Sequence, residues 1–316
     1  MNTVYPEISP FEARQIAADD VHTLHVEQYG NPDGVPVVFL HGGPGASWSR
    51  HDLRVFDPAH YRIICFDQRG TWRSTPLGEL KDNTTPHLIA DIETLRDMFG
   101  VQQWIVYGGS WGSALAVAYA EAYPDHCSAL VVRGVTLFRP GFEHWDFRMT
   151  RRLYPEAWHE LAALAPTNQH DNLYEFYRRA ILSEERDVAL EASQYWYAFS
   201  DLLSNSCNID PAFSEPDEPN ELVLAGARIS MHYWEHAAFL PPDALYDNTH
   251  QLRDLPGAIV HGRNDYNCPV SDAFDLHQAW PRATFKIVEN AGHSCQEPET
   301  MQFLLNTMER LKTEAR

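Results

Sequence analysis

The sequence lacks any long apolar segment. None of its 316 residues belongs to a run of about 18 apolar residues, the length that a helix needs to cross a bilayer. The first residues also lack the basic patch and apolar core that are typical of a secretory leader. These absences predict a soluble, cytoplasmic protein without a membrane as partner.

Positive charge is scarce as well. Lys and Arg number 24 against 44 Asp and Glu, which gives a formal net charge of −20. An excess of negative charge disfavours binding to the phosphates of nucleic acids or to anionic lipids. We therefore expect no nucleic acid as partner and interpret the charge as a solvated acidic surface.

Cysteine is sparse and its spacing is uninformative. The five cysteines are odd in number and include no C-x-x-C pair. This pattern predicts neither a disulfide framework nor a zinc site, and it favours free thiols in a reducing compartment. No metal and no organic cofactor is implied. The cysteines are Cys65, Cys127, Cys207, Cys268 and Cys295.

What the sequence does contain is a G-x-S-x-G motif centred on Ser110. An apolar run at 104–106 precedes the motif and an alanine-rich stretch at 113–122 follows it, which predicts a strand, a sharp turn and a helix. Such a turn holds the serine hydroxyl exposed at the carboxyl edge of a sheet. The motif alone is weak, because glycine and serine are common in turns. It makes Ser110 the candidate nucleophile.

A nucleophilic serine needs a base to remove its proton and an acid to orient that base. Two later apolar runs, at 257–260 and 284–288, each predict a strand. Asp265 follows the first run and is the candidate acid, and His293 follows the second and is the candidate base. Chance explains one such match, but three in the order nucleophile, acid, base favour a catalytic triad.

The oxyanion of a tetrahedral intermediate needs backbone N–H donors, each worth about 3 kcal/mol. Trp111, the residue after the nucleophile, is predicted to supply one. The other is predicted at Gly43, in the run HGGPG at 41–45 that follows a predicted strand at 36–40. Glycines in such a run let main-chain amides approach a substrate oxygen without obstruction.

Four other polar residues near these motifs are interpreted as structural. His41 and His261 follow predicted strands but do not have the chain position of the base. Asp67 also ends a predicted strand, yet it precedes the serine and so departs from the expected order. Ser113 lies one helical turn after Ser110 and is interpreted as a packing residue.

The arrangement of predicted elements divides the chain. Strands and helices alternate before residue 137 and again from 251, which is typical of an α/β fold with a mostly parallel sheet flanked by helices. We predict a catalytic domain of residues 1–136 and 251–316, with a helical cap domain of residues 137–250 inserted into it. Aromatic residues with helical spacing fill the predicted cap, as its core and as pocket lining. They are Phe142, Trp145, Phe147, Trp158, Tyr174, Phe176, Tyr177, Tyr195, Trp196, Tyr197, Phe199, Tyr233 and Trp234.

Together the motifs resemble those of the proline iminopeptidases. The resemblance rests on HGGPG at 41–45, DQRG at 67–70, GGSWGS at 108–113, HGR at 261–263 with Asp265, and AGHS at 291–294. It extends to NTT at 83–85 and VRG at 132–134. It implies an α/β-hydrolase fold with a helical cap and a triad of Ser110, Asp265 and His293. It also implies release of an N-terminal residue, preferentially proline, from short peptides.

Two positions of the predicted cap depart from that family, whose members hold the substrate α-amino group with glutamates. Ser200 and Ser230 occupy those positions here, and a hydroxyl cannot provide the charge pairing that a desolvated ammonium needs. Asp201 or Glu235 could take over, although a shift of one residue turns a helical side chain by about 100°. The residues interpreted as substrate-binding are Gly42, Trp196, Phe199, Ser200, Ser230 and Tyr233.

The sequence therefore favours a serine hydrolase that works through an acyl-enzyme on a small peptide, amide or ester. The first hypothesis is a proline iminopeptidase-like aminopeptidase. The second is an esterase or amidase of a small-molecule pathway that does not require a free substrate amine. A non-catalytic binding protein is disfavoured by the intact set of catalytic residues. Self-association through the aromatic cap stays open, and no pattern predicts the oligomeric state.

Overall fold

The chain folds around an eight-stranded sheet. The computed structural model describes residues 4–141, 151–205 and 220–314. The strand order is β1-β2-β4-β3-β5-β6-β7-β8; β2 runs antiparallel to β1 and β4, and the other pairs are parallel. The prediction of a mostly parallel sheet flanked by helices is confirmed. The strands are β1 (Glu12–Ala17), β2 (Thr23–Gly30), β3 (Val35–Leu40), β4 (Tyr61–Phe66), β5 (Trp104–Gly109), β6 (Cys127–Arg133), β7 (Gly257–Gly262) and β8 (Ala283–Val288).

Helices cover both faces of this sheet, and more helices lie between β6 and β7. Helices α1, α2 and α8 pack on one face, and α9 packs on the other. The helices are α1 (Thr85–Met98), α2 (Trp111–Ala122), α3 (Pro155–Ala163), α4 (Leu173–Ile181), α5 (Arg186–Asn205), α6 (Glu221–Glu235), α7 (Ala244–Asp247), α8 (Val270–Ala279) and α9 (Pro298–Glu314).

The central strands are apolar along their whole length because both of their faces are covered. All residues of β5 and β7 are buried. Helix α2 is enclosed almost as completely, with ten of its twelve residues buried. Its many alanines let it approach the sheet closely, which brings the start of α2 and the end of β5 together at the carboxyl edge.

The first strand was not predicted. β1 is an edge strand whose residues are mostly exposed, so it lacks the alternating apolar pattern that signals a half-buried strand. Helix α1 begins at Thr85, with Thr84 as its N-cap. The unpredicted strand lies at the margin of the sheet and leaves the position of the motifs unchanged.

The segment between β6 and β7 has an apolar core of its own. In its described part, α3 to α7 are the regular elements, together with short 3-10 turns. Leu161, Tyr177, Trp196 and Phe199 are buried in this core. Helix α6 joins it to the sheet, because the Tyr233 ring contacts the Trp111 ring edge-on at 4.8 Å. Phe142, Trp145, Phe147 and Cys207 lie outside the described residues.

Candidate active site

Ser110 occupies a strained turn between β5 and α2. Its backbone has φ 58° and ψ −130°, a conformation that costs of order 1–3 kcal/mol for a residue with a side chain. The turn packs tightly on β3, since a side chain at Gly112 would place its Cβ 2.1 Å from the Leu40 carbonyl oxygen. The glycines of the motif thus permit the close packing that forces the serine outward.

Buried hydrogen bonds hold the strained turn in place. The Ser110 amide donates to the Arg133 carbonyl oxygen at 3.1 Å. The Ser113 hydroxyl donates to the Ser110 carbonyl oxygen at 2.6 Å, and it accepts a bond from the Thr136 amide at 3.2 Å. Ser113, interpreted from sequence as a packing residue, therefore also supports the backbone of Ser110.

Asp265 and His293 form a buried pair at the ends of β7 and β8. Nδ1 of His293 lies 2.8 Å from Oδ2 of Asp265, and the other carboxylate oxygen accepts bonds from the amides of Asn267 and Cys268. Burial would raise the pKa of Asp265, but the attraction and hydrogen bond of His293, with the bond from Cys268, lower it below its ordinary value. An ionised Asp265 fixes the imidazole with Nδ1 as the donor and leaves Nε2 as the free acceptor.

Two hydrogen bonds hold the loop that contains His293. The Gly292 amide donates to Oε1 of the buried Glu297 at 2.8 Å. Nη1 of Arg133 donates to the His293 carbonyl oxygen at 3.2 Å. The roles of Glu297 and of the Arg133 side chain were not anticipated from the sequence, because neither residue belongs to a recognisable catalytic pattern.

A second network fixes the glycine loop after β3. The His41 ring lies 2.9 Å from the Gly42 carbonyl oxygen, and its Nε2 accepts a bond from the Gln68 amide at 3.0 Å. The Gln68 side chain binds the His41 carbonyl oxygen and accepts a bond from the Trp111 indole. Burial lowers the pKa of His41, so the ring stays neutral. Gln68 thus ties together the two loops that were predicted to form the oxyanion site.

The other polar residues interpreted as structural also lie within the supporting framework. His261 accepts a bond from the Val135 amide and donates to the Cys268 carbonyl oxygen. Asp67 is fully buried and pairs with Nε of Arg73 at 2.8 Å. These contacts join loops at the carboxyl edge of the sheet.

Ser110 and His293 open into one cavity of about 520 Å³, within the range of small-molecule sites. The sheet side contributes Gly42, Gly43, Trp111 and Arg133, and helix α5 contributes Tyr197, Ser200, Asp201, Ser204 and Asn205. Nδ2 of Asn267 donates to Oγ of Ser204 at 2.7 Å and so links α5 to the loop of Asp265. The structure therefore brings together the predicted nucleophile, base and oxyanion donors with two of the residues interpreted as substrate-binding, Gly42 and Ser200.

Four residues interpreted as substrate-binding lie elsewhere. Trp196 and Phe199 are buried in the core of the helices, and Tyr233 is buried against the Trp111 ring. None of the three is among the residues that line the cavity. Ser230 is buried too, and its hydroxyl donates to the Pro44 carbonyl oxygen. The sequence pattern could not separate core aromatics from pocket aromatics, because both follow the same helical spacing.

Three residues of the site offer the atom types of a metal centre. Asp265, Cys268 and His293 each present one ligand atom within 4.8 Å of the others. Nδ1 of His293 and Oδ2 of Asp265 are already bonded to each other. A cation here would have to break the pair that orients the imidazole.

Among the described residues, no helix is both long and apolar enough to span a bilayer.

Comparison with known proteins places this architecture in a class. Residues 35–300 match the family model for the alpha/beta hydrolase fold. A putative aryl esterase from Burkholderia cenocepacia superposes with a TM-score of 0.64 at 19% identity, over 96% of this chain and 99% of that one. The chain is thus a hydrolase of the α/β-hydrolase fold.

The sequence relatives narrow the class to a family. Proline iminopeptidase from Xanthomonas citri is 44% identical over 308 residues, which cover 96% of this chain and 98% of the relative. Proline iminopeptidase from Xylella fastidiosa (strain Temecula1 / ATCC 700964) is 43% identical with the same coverage of both chains. The chain belongs to the proline iminopeptidase family, and the family resemblance inferred from its motifs is confirmed.

Proposed function

We propose that this protein is a serine aminopeptidase that releases an N-terminal residue, proline among them, from short peptides or amides. The main observation in support of the proposal is that Ser110 and His293 line one cavity, while Asp265 is hydrogen-bonded to Nδ1 of His293. The names of its family relatives support the choice of substrate.

The proposed chemistry is acyl transfer to water. Oγ of Ser110 attacks the scissile carbonyl while Nε2 of His293 takes the hydroxyl proton, and Asp265 stabilises the resulting imidazolium. The imidazolium then gives that proton to the leaving amine as the C–N bond breaks. Water, deprotonated by the same imidazole, hydrolyses the acyl-enzyme and regenerates Ser110.

The oxyanion is proposed to bind the amides of Trp111 and Gly43. Trp111 begins helix α2, so its N–H has no acceptor within the helix. The glycine loop lies directly over the nucleophile, since a Cβ at Gly42 would fall 3.1 Å from Cβ of Ser110. Donors in such an enclosed site stabilise the developing charge strongly because they need not reorganise.

Helices α3 to α7 are proposed to act as the cap, and Asp201 is proposed to bind the substrate ammonium. Asp201 lines the cavity and is held by Nδ2 of Asn205 at 2.9 Å from its Oδ1. Glu235, the other carboxylate considered, pairs with Arg178 at 2.7 Å and is not among the residues that line the cavity. Position and free charge therefore favour Asp201 over Glu235.

The test compares proline β-naphthylamide, its N-acetylated counterpart and a p-nitrophenyl ester, each with wild type and Ser110→Ala. We expect serine-dependent cleavage of the free-amine substrate and little cleavage of the blocked amide. Cleavage of only the ester or the blocked amide would instead support an esterase or amidase. That alternative is favoured by Ser200, an uncharged residue that lines the cavity.

A further inference from the structure

The cavity contains a cation that the proposed chemistry does not use. Arg133 ends β6 and lines the same cavity as Ser110 and His293. Its side chain lies flat across the turn before the nucleophile, because a Cβ at Gly109 would fall 2.2 Å from Nε of Arg133. Glycine at 109 is thus required for the guanidinium to occupy this place.

Within residues 4–141, 151–205 and 220–314, Arg133 has no carboxylate within ion-pair distance. Its guanidinium donates to the His293 carbonyl oxygen, which uses one of five N–H groups. The buried guanidinium of Arg69, by contrast, binds both oxygens of Asp91, at 2.6 and 2.7 Å, and Asp19 at 2.6 Å. The partly buried Arg62 and Arg228 bind amide and carbonyl oxygens instead. Of these three arginines without a carboxylate partner in the described residues, Arg133 is the one that lines the cavity of Ser110 and His293.

The groups beside Arg133 do not form an ion pair with it within the described residues. Burial raises the pKa of the Cys295 thiol, so that neighbour stays uncharged. Asp52 shares the cavity wall and attracts Arg133 from beyond ion-pair distance, while one of its oxygens accepts bonds from the amide and hydroxyl of Ser49 at 2.8 and 3.0 Å. Arg133 therefore lines the cavity with N–H donors that no carboxylate of the described residues occupies.

We propose that Arg133 forms a subsite for a carboxylate of the substrate. A planar guanidinium suits a carboxylate because two parallel N–H donors meet its two oxygens. Taken with the proposed function, on which this step rests, the nearest carboxylate in a peptide with a free amine is the C-terminus of a dipeptide. The preferred substrates are then free dipeptides, with the ammonium at Asp201 and the carboxylate at Arg133.

The experiment measures kcat/KM for two pairs of substrates that differ only in a carboxylate. The peptide pair is Pro-Gly and Pro-Gly amide; the ester pair is the 4-nitrophenyl monoester of glutaric acid and 4-nitrophenyl butyrate. Wild type should favour the carboxylate member of at least one pair by about ten- to hundredfold, as charge-assisted hydrogen bonds predict. The net charge of −20 would by itself produce the opposite preference.

Variants assign the preference to Arg133. Arg133→Met should bring the ratio within a pair close to one, whereas Arg133→Lys should retain part of it. Arg282→Met is the control, because Arg282 is exposed and binds only the Asp254 carbonyl oxygen among the described residues; its ratio should stay at the wild-type value. Using ratios cancels any effect of Arg133 on the His293 loop.

Two results overturn the proposal: equal rates within both pairs for wild type, or a preference that survives in Arg133→Met. A third result separates the two proposals. If neither peptide is cleaved but the preference between the two esters depends on Arg133, the proposed aminopeptidase activity is rejected and the proposed carboxylate subsite is retained. If Arg133→Met does not fold, inhibition of wild type decides the matter. Benzoate should then inhibit at least about tenfold more strongly than benzamide, and equal inhibition would refute the subsite.

Discussion

The two walls of the cavity are built in different ways. On the sheet side, Ser110, Asp265 and His293 follow β5, β7 and β8, and buried hydrogen bonds fix the loop of each one. On the helical side, α5 presents Ser200, Asp201 and Ser204 from its last turns. Of these, Asp201 is exposed. The positions of the functional groups on the sheet side are determined by backbone geometry. On the helical side they are determined by which side chains the helix directs toward the cavity.

This difference separates the reaction chemistry from substrate recognition. A change on the sheet side would disturb several loops at once, because Gln68 alone links two of them. A change on α5 alters the charge of the cavity without touching those loops. If Ser200 replaces a family glutamate, as the sequence predicts, the change would therefore alter recognition while the proposed reaction chemistry stays intact.

The largest expected effect concerns the sheet wall. Ser110→Ala should lower kcat by about 10⁴-fold or more, because only oxyanion binding and substrate positioning would remain. The thermal midpoint should fall little or even rise, since alanine keeps the backbone and removes no hydrogen bond that the described residues make through this hydroxyl. Substantial residual turnover, with folding verified by circular dichroism, would remove Ser110 from the proposed role.

Asp265→Asn should reduce kcat by about 10³- to 10⁴-fold. An amide at this position can donate to Nδ1 and so hold the imidazole in the wrong tautomer. The lowered pKa of Asp265 adds a stability effect: its ionised form stabilises the fold above the pKa of the unfolded chain, and this contribution is lost as the pH falls through the lower folded value. Thermal midpoints of wild type and variant should therefore converge in acid, and a constant difference would argue against the pairing.

A smaller effect is expected on the helical wall. Asp201→Asn should raise KM for proline β-naphthylamide by about tenfold or more, because it removes the proposed partner of the ammonium, and it should leave the p-nitrophenyl ester nearly unaffected. Glu235→Gln is the matched control and should leave both values unchanged, since Glu235 pairs with Arg178. If Glu235→Gln raises KM and Asp201→Asn does not, the assignment is reversed.

The smallest effect concerns Ser230. Ser230→Ala removes a buried hydrogen bond to the Pro44 carbonyl oxygen, which should cost about 1 kcal/mol of unfolding free energy. Substrate selectivity should not change, because Ser230 is not among the residues that line the cavity. Denaturant unfolding and the ratio of kcat/KM for amine and ester substrates measure the two properties separately. A changed ratio of kcat/KM would show that Ser230 takes part in substrate recognition.

The difference between the sheet side and the helical side of the cavity also explains how much the sequence alone could predict. The positions of Ser110, Asp265 and His293 at one edge of the sheet were predictable because each follows an apolar strand, and parallel strands bring their carboxyl ends to one edge. Gln68 and Glu297 were not, since side-chain bonds between loops leave no periodic signal. Tyr233 was assigned to the pocket because helical spacing shows which residues share a face but not what that face packs against, and Ser230 was assigned to it because of the family glutamate expected at that position. β1 was missed because an edge strand need not be apolar.

The most direct test of the central claim is active-site labelling with a serine-directed fluorophosphonate, followed by peptide mapping with mass spectrometry. We predict one covalent adduct per chain, located on Ser110, and its suppression by prior incubation with excess proline β-naphthylamide. An adduct on another residue, or labelling of Ser110 that the substrate does not slow, would contradict the proposed catalytic site.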